Sequence, residues 1–404
     1  MPVYQTTSFV FEDTADAADL FALQKFGTIY TRIANPTVAA FEERIASLEG
    51  GIGAVATASG QAAEFIVFAA LCGAGDHVVS SAQLYGGTRT LLEGTLGRFG
   101  VETTFIASSE PAAYAAALRR TTRVIYAEVV ANPSGAVADL EGLAAVARDA
   151  GIPLVVDATV ATPYLCQPVR WGADIVVHSA TKFLGGHGNS IGGVVVDSGQ
   201  FDWGNGNFPI MTTPVASYGG LNWWDNFGEY AFCTRLRSEQ LRDTGPSLSP
   251  FNAFLLLQGV ETLPQRMDAH MANARAVSAF LGDHPAVEWV RWAGRADHPD
   301  YERAAKYLPL GPGSVFAFGV RGGRAAGRRF IEALELCSHL ANIGDTRTLV
   351  IHPASTTHQQ LSDEALVAAG VGPDLIRISV GLEDVDDILW DIDQALHAAV
   401  KEGA

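Results

Sequence analysis

The sequence predicts an α/β fold: a mostly parallel sheet flanked by helices, followed by a smaller C-terminal α/β domain. Two observations predict it. Between residues 50 and 200, short β-branched runs alternate with Ala- and Leu-rich stretches of helical period. A helix between consecutive strands carries the chain back over the sheet, so the strands run parallel and both faces are covered. In addition, 42 of the 404 residues are glycine, which suits many tight strand–helix turns.

The elements follow in order. Residues 1–34 are irregular, aromatic and polar, and read as an N-terminal arm. Pro36 to Leu48 predicts a helix with Val38, Phe41, Ile45 and Leu48 on one face, Asn35 as its N-cap and Gly50-Gly51 as its stop. Strands are expected at Ala54–Thr57, His77–Ser80, Val124–Val130, Leu154–Asp157, Ile175–His178 and Val194–Asp197, with helices such as Ala62–Leu71 and Leu140–Ala150 between them. Residues 200–232 are rich in Gly, Asn and Trp and read as a long functional loop. Helical pattern returns at Ser249–Gly259 and Pro264–Leu281. Beyond it, strands Ser314–Val320 and Ile376–Ser379 mix with amphipathic helices Arg324–Leu336 and Glu383–Val400. The expected division is an arm at 1–34, a large domain at 35–233 and a small domain at 234–404.

Charge and composition exclude several classes of partner. The formal net charge is −17, so a phosphate backbone or an anionic membrane surface is repelled. No apolar run reaches the roughly 18–20 residues that span a bilayer. Met1-Pro2-Val3-Tyr4-Gln5 lacks the basic and apolar regions of a signal peptide. Four cysteines, Cys72, Cys166, Cys233 and Cys337, form no CxxC pair. The expectation is a cytoplasmic protein with free thiols. The ten histidines show neither HxxxH nor HExxH spacing, and no metal is expected.

Five short segments carry chemistry. In His178-Ser179-Ala180-Thr181-Lys182, a β run ends in hydroxyls and then a lysine, before the glycine-rich Gly185-Gly186-His187-Gly188. The hydroxyls suit a phosphate, and the amine suits an aldehyde on the same ring. That combination describes pyridoxal 5′-phosphate (PLP) held on Lys182 as a Schiff base; a surface lysine after an edge strand is the alternative. Asp157 closes the apolar run from Pro153 and either pairs with a protonated pyridine nitrogen or caps the next helix. Ser59-Gly60-Gln61 opens an Ala-rich helix whose free N–H groups suit a phosphate, or is an ordinary cap. Tyr85, in Gln83-Leu84-Tyr85-Gly86-Gly87, either stacks on the ring or is a structural tyrosine. Asn132, in Ala131-Asn132-Pro133-Ser134-Gly135, either reaches the ring's phenolic oxygen or belongs to a plain turn.

These motifs resemble the Cys/Met-metabolism PLP-dependent enzymes, the cystathionine γ-synthase-like group of fold type I. The resemblance runs from Tyr4 to about residue 395 and is sharpest at Asp174-Ile175-Val176-Val177-His178-Ser179-Ala180-Thr181-Lys182-Phe183-Leu184-Gly185-Gly186-His187. Within the family it is greatest to the O-acetylhomoserine sulfhydrylases. That likeness rests on Ala58–Ala63, Ser249–Phe254, Leu340-Ala341-Asn342-Ile343-Gly344-Asp345 and the run Leu349–His358.

The resemblance implies a fold-type I transferase with PLP on Lys182, Asp157 on the pyridine nitrogen and Tyr85 stacked on the ring as a candidate acid/base. It implies Ser59, Gly60, Gln61, Ser179 and Thr181 around the phosphate and Asn132 near the ring oxygen. Tyr30 and Arg32 would reach the phosphate of a neighbouring subunit's cofactor, making a dimer necessary and a tetramer expected. Arg377 would bind the substrate carboxylate, with Asn342 beside it. The implied substrates are O-acetylhomoserine and sulfide or a thiol; cystathionine synthesis, another γ-replacement and γ-elimination are the alternatives. One departure bears on specificity: Asp157-Ala158-Thr159-Val160 stands where the family commonly has Asp-Asn-Thr-Phe.

Overall fold

The computed structural model describes residues 1–357, 359, 362 and 371–400. His358, which closes the run from Leu349, lies outside the described residues.

Local signals place the elements. Asn35 accepts a hydrogen bond from the Thr37 N–H at 2.9 Å, and Pro36 opens the helix Pro36–Glu49. The left-handed Gly50, φ 79°, ends it. Asp139 caps Leu140–Ala150 in the same way, and Gly151, φ 64°, closes it.

Twelve strands build two sheets. In the first are β1 (Gly53–Thr57), β2 (His77–Ser81), β3 (Glu102–Ile106), β4 (Thr122–Glu128), β5 (Leu154–Asp157), β6 (Ile175–His178) and β7 (Gly193–Asp197), in the order β1-β7-β6-β5-β4-β2-β3. The sheet is parallel from β6 through to β3, while β7 runs antiparallel to both neighbours. Its central runs are apolar because helices cover both faces; Leu154, Val155 and Val156 are completely buried. Strand β3, Glu-Thr-Thr-Phe-Ile, is an addition to the sequence expectation. It is an edge strand, half exposed and polar, so no apolar run announces it.

The second sheet holds β8 (Val287–Arg291), β9 (Val315–Val320), β10 (Ser338–His339), β11 (Leu349–Ile351) and β12 (Leu375–Ser379), in the order β10-β11-β12-β9-β8. All its pairings except β10–β11 are antiparallel. Helices Gly323–Ala333 and Val385–Val400 pack together beside it. Between the sheets, a helical run from Ala231 continues to Thr244. Ser247 bridges back to Thr57 of β1, and Pro250–Glu261 packs on Pro36–Glu49.

The Trp-rich segment, expected as a long loop, carries short elements of its own. It folds into short helical turns at Pro209–Thr212 and Trp223–Phe227. Trp203, 1% exposed, stacks on Phe232 with centroids 5.0 Å apart, and Trp223 is fully buried against Tyr218 and Phe227. Asn205 and Asn207 both donate to the Gly151 carbonyl.

Candidate active site

The carboxyl edge of a parallel sheet is where such folds keep their ligands. Here β1, β4, β5 and β6 lead into Ser59, Asn132, Asp157 and Lys182.

Ser59 is the N-cap of the helix Gly60–Leu71, its hydroxyl accepting from the Ala62 N–H at 3.1 Å. The N–H groups of Gly60 and Gln61 belong to the first turn, which has no acceptor within the helix. A side chain at Gly60 is impossible: its Cβ would stand 2.6 Å from Ser179 Cβ and 2.9 Å from Ser179 Oγ. The glycine therefore brings the Ser179 hydroxyl against the positive end of the helix dipole, a built anion cradle. The structure uses Thr181 differently. Its Oγ donates to the Gly192 carbonyl and accepts from the Gly192 N–H, both at 3.1 Å, fastening the strand that returns from the lysine loop.

Asp157 ends β5 and accepts from the Thr159 N–H at 2.7 Å. Burial raises its pKa above the usual carboxylate range; the Thr159 bonds and His178 act against this. His178 Nε2 in turn lies 2.6 Å from Glu49 Oε1, both side chains fully buried. Tyr85 is 51% exposed, its ring passing over Gly87, where a Cβ would meet it at 2.4 Å. Asn132 is buried, and its side-chain oxygen has no partner among the described residues.

Two further carboxylates stand here that sequence reasoning missed. Glu128 ends β4 in register with Asp157 and accepts from the backbone N–H groups of Tyr85, at 2.6 Å, and Asn132, at 3.2 Å. Glu64 accepts from Tyr126 at 2.7 Å, from Thr88 and from Gln61. Burial first, and the nearby Asp157 second, push Glu64 up to about 8 and Glu128 well above its ordinary value. The available signal was a lone acidic residue inside each of two otherwise apolar elements, Ala62–Leu71 and Val124–Val130.

On the other side, Lys182 Nζ donates to Asn342 Oδ1 at 2.5 Å, and Arg377 donates to the Asn342 carbonyl at 3.0 Å. Arg377 sits on β12, so the second sheet supplies this wall. Burial, then the Arg377 charge, lowers the Lys182 pKa; burial brings Arg377 down to about 10. Arg266 was not anticipated. Its buried guanidinium donates to the carbonyls of Phe183, Leu184 and Gly259 and so holds the chain just after the lysine. Tyr30 and Arg32 lie apart from this cluster. The Arg32 guanidinium sits 5.0 Å from the Tyr30 ring centroid, and neither side chain hydrogen-bonds a site residue among the described residues. Ala158 is fully buried.

PLP fits these residues. The cradle at Gly60 takes a phosphate, and among the described residues no cation bonds Asp157, where a protonated pyridine nitrogen supplies one. A mostly parallel sheet with a desolvated lysine and a recessed aspartate on neighbouring strand ends defines a PLP-dependent enzyme.

Comparison with known proteins narrows this. The model for the Cys/Met metabolism PLP-dependent enzymes matches residues 1–397, and the chain belongs to that family. It is 49% identical to the O-acetyl-L-homoserine sulfhydrylase of Leptospira meyeri, over 98% of this chain and 92% of that one. It is 48% identical to the homocysteine synthase of Schizosaccharomyces pombe, over 99% and 94%. A crystal structure of a Campylobacter jejuni protein holding N′-pyridoxyl-lysine-5′-monophosphate superposes with a TM-score of 0.95 at 37% identity, over 98% of this chain and 95% of that one.

Proposed function

We propose that this chain is an O-acetyl-L-homoserine sulfhydrylase, replacing acetate on the substrate's Cγ with sulfide or a small thiol to give homocysteine or methionine. The relatives' names support the reaction. The observation that carries it is the line Lys182–Asn342–Arg377, which sets a proton-moving amine at a fixed distance from a carboxylate-binding guanidinium.

Each residue then has a task. Arg377 grips the substrate carboxylate with its planar fork, and Asn342 orients both Arg377 and Lys182. Lys182, with its pKa lowered, takes the proton from Cα and then from Cβ, and returns them after the nucleophile has entered. PLP, when bound, supplies an electron sink for these proton losses. Asp157 holds the ring nitrogen and keeps it protonated. Tyr85 covers the ring face, Asn132 holds the ring oxygen, and Ser59, Gly60, Gln61, Ser179 and Thr181 hold the phosphate, Thr181 by giving up its Gly192 bond. Tyr85 is also the candidate to exchange a proton near the leaving group.

The exposed Tyr30–Arg32 pair fits donation to a neighbouring subunit's phosphate, making a homodimer the smallest complete unit and a tetramer its expected form. The proposed location is the cytoplasm; no helix among the described residues is long and apolar enough to cross a membrane. For domain limits, the arm ends at residue 34, and we place the division of large from small domain after residue 262 rather than after 233, because Pro250–Glu261 packs on the large domain's helix Pro36–Glu49.

Product analysis tests the reaction. O-acetylhomoserine with sulfide is expected to give homocysteine and acetate, with O-succinylhomoserine a poor substitute. Preferred formation of cystathionine from added cysteine, or of a 2-oxo acid and ammonia without any nucleophile, would overturn the proposal in favour of a synthase or a lyase.

A further inference from the structure

Asn132 is buried in an irregular turn, and Tyr85, its ring half exposed, immediately precedes the helical turn Gly86–Thr90. Both are held through the backbone by one side chain. Glu128, 7% exposed, spends one carboxylate oxygen on the Tyr85 N–H and the other on the Asn132 N–H. Its strand register fixes it next to Asp157. Among the described residues no cation pairs with it, so electrostatic neutralisation does not account for its burial. The two N–H groups meet the two separate oxygens of the carboxyl group, and an amide in its place offers an oxygen at only one of those positions.

We propose that Glu128 is a positioning residue for the cofactor ring: its carboxylate clamps the Tyr85 and Asn132 loops together, setting the ring's stacking face and its oxygen partner at once. This rests on the reading of Tyr85 and Asn132 as ring contacts. Strand β4 is an interior strand between β5 and β2, so the clamp ties two loop segments to the strand end beside Asp157. Glu64 extends the arrangement sideways, joining Gln61 of the phosphate turn to Thr88 of the helical turn after Tyr85.

The experiment compares holoenzyme with Glu128→Gln, Tyr85→Ala and Asn132→Ala. The readouts are the rate of PLP release on dialysis, the circular dichroism of the visible cofactor band and the unfolding midpoint. Glu128→Gln loses one acceptor and is expected to release PLP about 10-fold faster, with a weakened dichroic band and a midpoint within a few degrees of the parent. Parental release and dichroism in Glu128→Gln, with both loop variants impaired, would overturn the clamp and leave the ring contacts standing. Parental behaviour in Tyr85→Ala and Asn132→Ala would overturn the ring contacts, and the clamp with them. If Glu128→Gln does not fold, amide exchange in the unaltered holoenzyme decides. The clamp requires slow exchange at both Tyr85 and Asn132; fast exchange at either overturns it.

Discussion

Two polar-rich regions of this molecule treat their hydrogen-bonding groups in opposite ways. In residues 200–232 most of the polar side chains close on nearby backbone, Asn205 and Asn207 on Gly151, Asn222 on Asp225 and Tyr218 on the Ser238 carbonyl, with the buried Trp223 Nε1 the exception. At the carboxyl edge of the first sheet they stop short. Among the described residues Asn132 keeps an orphaned oxygen, Asp157 bonds no cation, and Lys182 and Arg377 share one asparagine without a carboxylate between them. Buried polar groups are normally satisfied, so a cluster left incomplete marks the place where another molecule finishes the structure. Composition alone would have favoured the first region.

Three substitutions bear on this contrast. Lys182→Ala removes the proposed covalent anchor. Turnover is expected to fall more than about 1,000-fold, and the purified protein to lose the visible cofactor band; a coloured, active variant would break the comparison at its centre. Arg377→Met acts on the substrate side, raising KM about 10–100-fold through loss of a charged hydrogen-bonding partner. It also sharpens the electrostatics. Burial is the larger cause of the low Lys182 pKa and Arg377 the second, so removing that charge raises the lysine's pKa. The rising acid limb of the rate profile, which needs the unprotonated amine, should then move to higher pH. A limb that stays put would show that Arg377 does not act on Lys182. Trp203→Ala belongs to the other region: a loss of about 3–5 kcal/mol in stability, with kcat/KM per folded molecule unchanged. A specific rise in KM there would restore residues 200–232 to the pocket.

Much of the cofactor side was legible because each residue ends an apolar run of matching period. Asp157 and Lys182 follow β5 and β6, and Ser59 opens a helix with a recognisable cap. Arg377 and Asn342 came only through resemblance, since the crossing of two sheets that brings them to Lys182 has no local signature. Glu64, Glu128 and Arg266 were missed for a related reason. Their work is to hold backbone N–H and carbonyl groups, and backbone partners leave no mark in a sequence. Strand β3 and the short β10 and β11 escaped because edge strands and strands of two or three residues carry too little alternation to read.

The Thr181–Gly192 fastening has a consequence for how freely this stretch can change. The chain leaves Thr181, makes an excursion and returns eleven residues later to the same hydroxyl. Replacements at exposed His187 or Asn189, out on the excursion, are far from the tie. At the tie itself there is no such latitude: a methyl group on Gly193 would stand 2.1 Å from the Ser59 carbonyl, and one on Gly192 2.6 Å from Leu256. Gly186 and Gly188 within the excursion have left-handed backbone, φ 72° and 63°, so latitude is confined to His187 and Asn189, while Gly193 at the base is barred from gaining even one carbon by a backbone carbonyl.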